Sequence, residues 1–342
     1  MGIMTKYRKW ISFCLIGLIL CLLPVWLSPY LIGILIFIGI YAIASLGLGL
    51  LIGYAGQLSL GHNAFYGLGA YTSAILSFRY GISPWLGILS GMVLTGTVAY
   101  LIGKPVLKFR GHMLAIVTIA MGLIFWGLFG EMDFITGGYE GFSRVPRLSI
   151  GKFTFTKDIH FYYLVLIILA ILFKITSNIA KSKVGSEFRT IDLSGGGSEI
   201  AAETLGINIG KIKNQAFVFS AVYTSISGGL YVHYITHIDP SPFSLWAAFI
   251  LVIMVVIGGV RSPWGPIIGA VFYVGLKELI SYLIPVSQSV ALAGLEVIIF
   301  SLLFILVLLL FPNGLVQLPT VLSQYRIKKR SQRVSQRSLP HE

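Results

Sequence analysis

The sequence predicts an all-α polytopic membrane protein with about ten transmembrane or re-entrant helices and both termini in the cytoplasm. Two observations support this fold class. Of the 342 residues, 56% are hydrophobic and only 11% are charged, and a soluble domain of that composition could not cover its surface with polar groups. The apolar residues also fall into runs of about 20, the length that a helix needs to cross a bilayer.

The apolar runs follow one another along almost the whole chain. They are Ile11 to Ser28, Leu31 to Gly53, Leu58 to Phe78, Pro84 to Ile102, His112 to Gly130, His160 to Ile175, Gln215 to Ile235, Trp246 to Val260, Trp264 to Ile284 and Ser289 to Phe311. The third run contains many polar residues and the eighth is short, so each could be a broken or re-entrant helix. The pairs Gly87 with Gly91 and Gly265 with Gly269 predict close helix packing.

The positions of the basic residues predict the orientation. The formal net charge is +13, and Lys and Arg cluster in segments that a ten-span topology places on one side, which the positive-inside rule makes cytoplasmic. This bias explains the basic excess without nucleic-acid binding. We expect a transmembrane domain over residues 1–320, with a cytoplasmic loop at 176–214 and an external loop at 131–159, and a basic cytoplasmic tail over 321–342. Alternating residues around Leu148 to Phe155 predict a short hairpin in the external loop.

The chain contains none of the common catalytic motifs. It has no G-x-x-x-x-G-K-[ST] phosphate loop, no H-E-x-x-H sequence, no paired-cysteine zinc pattern and no G-x-S-x-G elbow. We therefore expect no catalytic residue, no metal site and no cofactor. If ATP drives this protein, another chain must bind it.

A polar cluster opens the third run. Its members are Gln57, Ser59, His62, Asn63 and Tyr66, and all but Gln57 share one helical stripe. Polar groups at membrane depth should turn toward a cavity or a helix partner. The stripe therefore either lines a transport pathway or holds helices together through hydrogen bonds.

The cytoplasmic loop contains a short amphipathic segment. Small side chains at Ala201 and Ala202 would allow close approach of a partner, and a glycine should end the helix. The alternatives are a docking segment and a solvated linker. The residues expected to make the docking contact are Glu199, Ile200, Ala201, Ala202, Glu203 and Gly206.

Three ionisable residues, Lys277, Glu278 and Glu296, lie deep in the last two runs. Counting inward from the outer ends at about 1.5 Å per residue places Lys277 and Glu296 at similar depths, roughly 10 Å from the surface. A lone charge there costs a few kcal/mol, which pairing would relieve. We expect an interhelical ion pair between Lys277 and Glu296. The alternative is that Lys277 extends to the outer surface while Glu296 is protonated or solvated.

Several motifs occur in a characteristic order between residues 31 and 318. The most specific is the stretch from Gly53 to Phe65, followed by Gly69 to Thr72. Further matches begin at Arg110, Ala201, Trp264 and Pro312. Together they resemble the LivM-type permeases of branched-chain amino acid ABC importers.

The resemblance implies a mechanism and partners. In that family two similar permeases form the pore, two cytoplasmic ATPases power it and an external binding protein delivers the amino acid. The chain would then lie in the lipid of a bacterial cytoplasmic (inner) membrane, and Glu199 to Gly206 would correspond to the helix that couples to the ATPase. Close relatives carry urea and short amides. A secondary transporter driven by an ion gradient is the alternative from another class, but it would need several acidic groups at membrane mid-depth, and a pure scaffold is a third.

Overall fold

The structure is a computed structural model that describes residues 17, 19–151, 153–182, 208–260 and 262–283, and short pieces between 298 and 317. Within these residues the protein is built almost entirely from helices. They are α1 (Pro29–Ala55), α2 (His62–Arg79), α3 (Pro84–Val106), α4 (His112–Glu131), α5 (Asp133–Thr136), α6 (Asp158–Lys181), α7 (Ile209–Ile235), α8 (Leu245–Gly258) and α9 (Gly265–Leu283). Each of the second to ninth predicted runs contains a helix, which confirms an all-α polytopic membrane protein.

Helix lengths separate full spans from shorter elements. Among the described residues, five helices are long and apolar enough to cross a membrane, namely α1, α3, α4, α6 and α9. Helix α8 has only 14 residues. Its length of about 21 Å, at about 1.5 Å per residue, is less than the roughly 30 Å of a bilayer core. The eighth run therefore does not cross as one straight helix, as its shortness suggested.

Local sequence fixes both ends of α1. Ser28 precedes the helix, its Oγ accepts a hydrogen bond from the Leu31 N–H at 3.5 Å, and Pro29 occupies the first helical position. At the other end Gly56 adopts φ 63°, and its N–H donates to the Leu51 carbonyl oxygen. This left-handed conformation, which glycine adopts without strain, ends the helix just before the predicted polar cluster.

Helix α7 lies at the centre of the bundle and packs against α1, α2 and α3. The contacts need small residues, because a methyl group on Gly69 of α2 would overlap Ser225 of α7. The predicted glycine pairs behave in the same way. Gly87 and Gly91 of α3 lie against Ser73 and Gly69 of α2, and Gly265 and Gly269 lie against residues at the end of α8. The close packing predicted from these pairs is confirmed.

A single methyl group at this contact should weaken the bundle. We expect Gly69→Ala to destabilise the protein by about 1–3 kcal/mol, because the methyl group would meet backbone atoms of Ser225, which cannot rotate away. Gly127 of α4 is the matched control, since a methyl group there has no neighbour within 4 Å. Gly127→Ala should be neutral or stabilising by up to about 1 kcal/mol. Thermal unfolding in detergent would measure both, and equal midpoints would contradict the packing assignment.

Two short β-ribbons cap one end of the bundle. Strands β2 (Ser149–Ile150) and β3 (Phe153–Thr154) pair antiparallel, which confirms the predicted hairpin. Strand β1 (Phe142–Ser143) pairs antiparallel with β4 (His237–Ile238), directly after α7. The second pairing was not predicted. It joins the loop at 131–159 to the segment that leads from α7 into α8.

Candidate functional site

The predicted polar cluster lies at the junction of α1 and α2. Residues 56–61 are not helical, so the third run is helical only from His62 onward. Gln57 is buried, and its Nε2 donates to the Ala55 carbonyl oxygen at 3.0 Å. The N–H of Leu60 donates to Thr118 Oγ1 of α4 at 3.0 Å. Side chains thus pair two backbone groups at this irregular segment, and non-helical backbone at membrane depth needs such partners within the protein.

Ser59, His62 and Ser220 form a buried hydrogen-bond chain that connects α2 with α7. Ser59 Oγ lies 3.0 Å from His62 Nδ1, and His62 Nε2 lies 2.8 Å from Ser220 Oγ. Because the Ser220 hydroxyl donates to the Phe217 carbonyl oxygen at 2.9 Å, it accepts from Nε2–H, and Nδ1 accepts from Ser59. A neutral imidazole protonated on Nε2 satisfies both bonds, so both ring nitrogens of His62 are engaged within the protein.

Asn63 connects α2 to two other elements. Its Nδ2 donates to the carbonyl oxygens of Gly122 in α4, at 3.2 Å, and of Phe243, at 3.0 Å. Phe243 ends the short 3-10 turn Ser241–Phe243, which leads into α8. The side chain is fully buried, and its Oδ1 has no hydrogen-bond partner among the described residues. Buried amide oxygens normally have a partner, so this atom has unused capacity to accept a hydrogen bond.

Tyr66 follows Asn63 on the same stripe. Its ring packs against Tyr231 of α7 and against Phe243, with centroids 5.7 and 5.2 Å apart. The side chain is only 2% exposed, and within the described part of the chain its hydroxyl has no hydrogen-bond partner. Leaving such a group unpaired costs about 1–3 kcal/mol. Asn63 and Tyr66 therefore differ from Ser59 and His62, which bond to each other.

The ring of Phe243 is the centre of an aromatic cluster that the sequence analysis missed. It is fully buried, and its centroid lies 5.2–6.2 Å from those of Tyr66, Tyr71, Phe129 and Tyr231. Tyr71 also stacks on Phe129 with centroids 4.7 Å apart. These rings come from α2, α4, α7 and the turn before α8. They place an apolar surface directly beside the unpaired groups of Asn63 and Tyr66.

The turn that carries Phe243 is held from two directions. Trp126 of α4 donates from Nε1 to the Pro240 carbonyl oxygen at 3.1 Å, and the Ser241 N–H donates to Asp239 Oδ1 at 2.8 Å. The only local signal for this element is the pair Pro240 and Pro242, which indicates a turn after α7. A turn signal does not reveal that the chain folds back to contact α2.

The other predicted site residues are only partly described. Glu199 to Gly206 and Glu296 lie outside the described residues. Lys277 is exposed on α9, and the neighbouring Glu278 accepts a hydrogen bond at Oε2 from the Tyr30 hydroxyl at 2.5 Å. The Lys277 and Glu296 ion pair therefore stays a prediction. In the described part of the chain, no group of three His, Cys, Asp or Glu residues could hold a metal ion.

Comparison with known proteins gives one family. Residues 30–311 match the family described as branched-chain amino acid transport system / permease component. The high-affinity branched-chain amino acid transport system permease protein LivM of Salmonella typhimurium is 31% identical over 264 residues, which cover 70% of this chain and 61% of that protein. A probable branched-chain amino acid transport permease protein LivH of Methanocaldococcus jannaschii is 25% identical over 293 residues, 83% of this chain and 90% of the relative.

A further relative is named for a different solute. The guanosine ABC transporter permease protein NupQ of Bacillus subtilis is 24% identical over 260 residues, 69% of this chain and 77% of that protein. No solved structure matches the chain. The aligned region spans about six tenths of the LivM relative's length. The family match nevertheless covers more than four fifths of this chain. The chain therefore belongs to the family of permease components of branched-chain amino acid transport systems.

Proposed function

We propose that this chain is the translocation-pathway subunit of an ATP-driven importer for branched-chain, hydrophobic amino acids. The observation that supports this most strongly is the match of residues 30–311 to the permease family. The relative at 31% identity bears a branched-chain amino acid transport name, whereas the guanosine transporter relative is 24% identical. Hydrolysis of ATP then belongs to a separate subunit, and this chain has no catalytic residues of its own.

In this proposal the solute passes beside the polar stripe of α2. The pathway residues are Gln57, Ser59, His62, Asn63 and Tyr66. Asn63 Oδ1 and the Tyr66 hydroxyl supply polar contacts, because neither has a partner within the described residues. Ser59 and His62 hold α2 against α7 through Ser220. The ring of Phe243 offers an apolar surface for a branched aliphatic side chain.

Entry of a solute then requires the cluster to open. Asn63, Tyr66 and Phe243 are all at most 2% exposed, so no solute reaches them in this conformation. The simplest opening moves the Ser241–Phe243 turn away from α2, which would break the hydrogen bond from Asn63 to the Phe243 carbonyl oxygen. A pathway that alternates between closed and open states is what an importer needs.

We further propose the topology and partners of a complete importer. About ten spans place both termini in the cytoplasm of a bacterial inner membrane, with residues 1–320 as the permease domain and 321–342 as a basic tail. A second homologous permease, two cytoplasmic ATPase subunits and an external binding protein complete the assembly. The ATPase docks on Glu199 to Gly206. The positive-inside distribution of Lys and Arg supports this orientation.

Competition between solutes tests the proposed solute class. Radiolabelled leucine uptake would be measured in cells that lack their own branched-chain transporters and express this chain with its partner subunits. Excess unlabelled isoleucine should abolish the signal, whereas guanosine and urea should leave it unchanged. Competition by guanosine but not by isoleucine would instead support the nucleoside solute class suggested by the NupQ name. Competition by urea alone would support the short-amide alternative.

A further inference from the structure

A basic pocket lies between the end of α3 and the beginning of α7. Its volume is about 410 Å³, and three lysines line it: Lys104 in the last turn of α3, Lys108 just after that helix, and Lys211 in the first turn of α7. Asn214 also lines the pocket, is 6% exposed, and donates from Nδ2 to the Tyr100 carbonyl oxygen at 3.3 Å. None of the residues that line the pocket belongs to the proposed solute pathway.

The charges of this pocket have no counter-charge among the described residues. The Nζ atom of Lys104 lies 4.4 Å from the centroid of the Tyr100 ring, a cation–π contact, and no described Asp or Glu forms an ion pair with the three lysines. The N-terminus of the 27-residue α7 adds partial positive charge, and its first turn contains no acidic residue. Lysine at a helix N-terminus is unfavourable unless an anion binds there.

Exposed apolar side chains continue from the pocket along the same two helices. On α3, Val93 and Tyr100 lie on the face of Lys104 and are 64% and 49% exposed. On α7, Phe219 lies two turns beyond Lys211 and is 41% exposed. Gly96 of α3 lets Val222 of α7 approach closely, so the two helices that carry these side chains pack directly against each other. A free phosphate would use only the lysines, whereas a lipid would also place its acyl chains against these apolar side chains.

We propose that the pocket binds the phosphate of an anionic phospholipid, whose acyl chains lie against the exposed apolar side chains of α3 and α7. The headgroup is held by Lys104, Lys108 and Lys211, on the side of the membrane that the positive-inside rule makes cytoplasmic. Bound lipid would fix the first turn of α7, the central helix of the bundle. The proposal depends on the pocket and the exposed apolar side chains beside it, and does not depend on the transported solute.

Native mass spectrometry of the full-length chain in detergent tests this site. The probes are dioleoyl phosphatidylglycerol, dioleoyl phosphatidylcholine and inorganic phosphate at equal concentration. We expect phosphatidylglycerol to bind selectively, and the Lys104→Gln, Lys108→Gln, Lys211→Gln triple variant to lose about a hundredfold in affinity, because each lysine contributes about 1 kcal/mol near an anionic headgroup. The triple variant Lys157→Gln, Lys174→Gln, Lys181→Gln removes the same charge at exposed positions of the chain and should bind like the natural protein.

Three outcomes would overturn the proposal. Equal phosphatidylglycerol binding by both triple variants would show that the lysines of the pocket form no site. Occupancy by inorganic phosphate at the same affinity would identify a free-anion site. Unchanged lipid binding together with lost ATPase co-purification would identify the pocket as a protein interface. An unchanged elution volume of the pocket variant in size-exclusion chromatography checks that the variant is folded.

Discussion

Leucine uptake by a Tyr66→Phe variant is expected to fall about fivefold, because a solute would lose one hydrogen bond worth about 1 kcal/mol. The hydroxyl of Tyr66 has no partner among the described residues, so its removal should not weaken the fold. Stability should stay equal or rise slightly, since a buried unpaired polar group is lost. A pathway role and a packing role for Tyr66 therefore predict different results, because the ring itself is retained.

Tyr223 of α7 provides the matched control. It is also a buried tyrosine, but its hydroxyl accepts from Thr176 Oγ1 at 3.3 Å and contacts the Leu172 carbonyl oxygen at 3.4 Å, both in α6. Tyr223→Phe should therefore lower stability by about 1 kcal/mol and leave uptake per folded molecule unchanged. Uptake and thermal unfolding would be measured for both variants. Normal uptake by Tyr66→Phe, or an equal loss in the two variants, would contradict a pathway at Tyr66.

A double substitution of Ala201→Trp and Ala202→Trp should abolish ATPase association and transport completely. The sequence around these residues predicts a small, apolar helix face that a partner approaches closely, and two indole rings would hold that partner away. Membrane insertion should be unaffected, because the segment lies in the sequence between α6 and α7 and outside the predicted apolar runs. Co-purification of the ATPase with the tagged chain measures the effect.

The corresponding serine variant keeps the face small. Ala201→Ser with Ala202→Ser changes helix propensity by only about 0.5 kcal/mol per residue and should retain the ATPase. Unchanged association of the tryptophan variant would rule out a docking role for the segment. Loss of association in the serine variant as well would indicate that the segment acts through its helicity and not through close approach.

Helix positions could be predicted from the sequence because a membrane-crossing helix needs a long apolar run. The prediction failed where polar residues are buried inside a helix. Helix α7 begins at Ile209, six residues before the predicted start at Gln215, because Asn208 caps it and accepts from the Lys211 N–H at 3.0 Å. Lys213 and Asn214 are polar, so the predicted apolar run starts only after them. In the structure they are 3% and 6% exposed. Tertiary packing thus buries polar side chains within a helix, whereas hydropathy alone assigns the same residues to a loop.

The site could be predicted only in outline. Helical periodicity placed His62 and Asn63 near Tyr66, since that relation is local. Whether a polar atom meets a protein partner depends on residues far away in the chain, such as Ser220 for His62 and Phe243 for Asn63. The strand pairing of Phe142 with Ile238 is equally non-local. No local pattern in one sequence encodes such contacts. The polar stripe could therefore be predicted, but not that Ser59 and His62 are paired within the protein while Asn63 and Tyr66 keep unpaired groups.

Leucine uptake by purified proteoliposomes tests the proposed role as an ABC permease most directly. The chain would be reconstituted with its partner permease and ATPase subunits, with ATP in the lumen and the loaded binding protein outside. We expect uptake only when ATP, the ATPase and the binding protein are all present, and none with a non-hydrolysable nucleotide. Uptake that persists without ATP, or that follows an imposed proton or sodium gradient, would contradict the proposal and identify a secondary transporter.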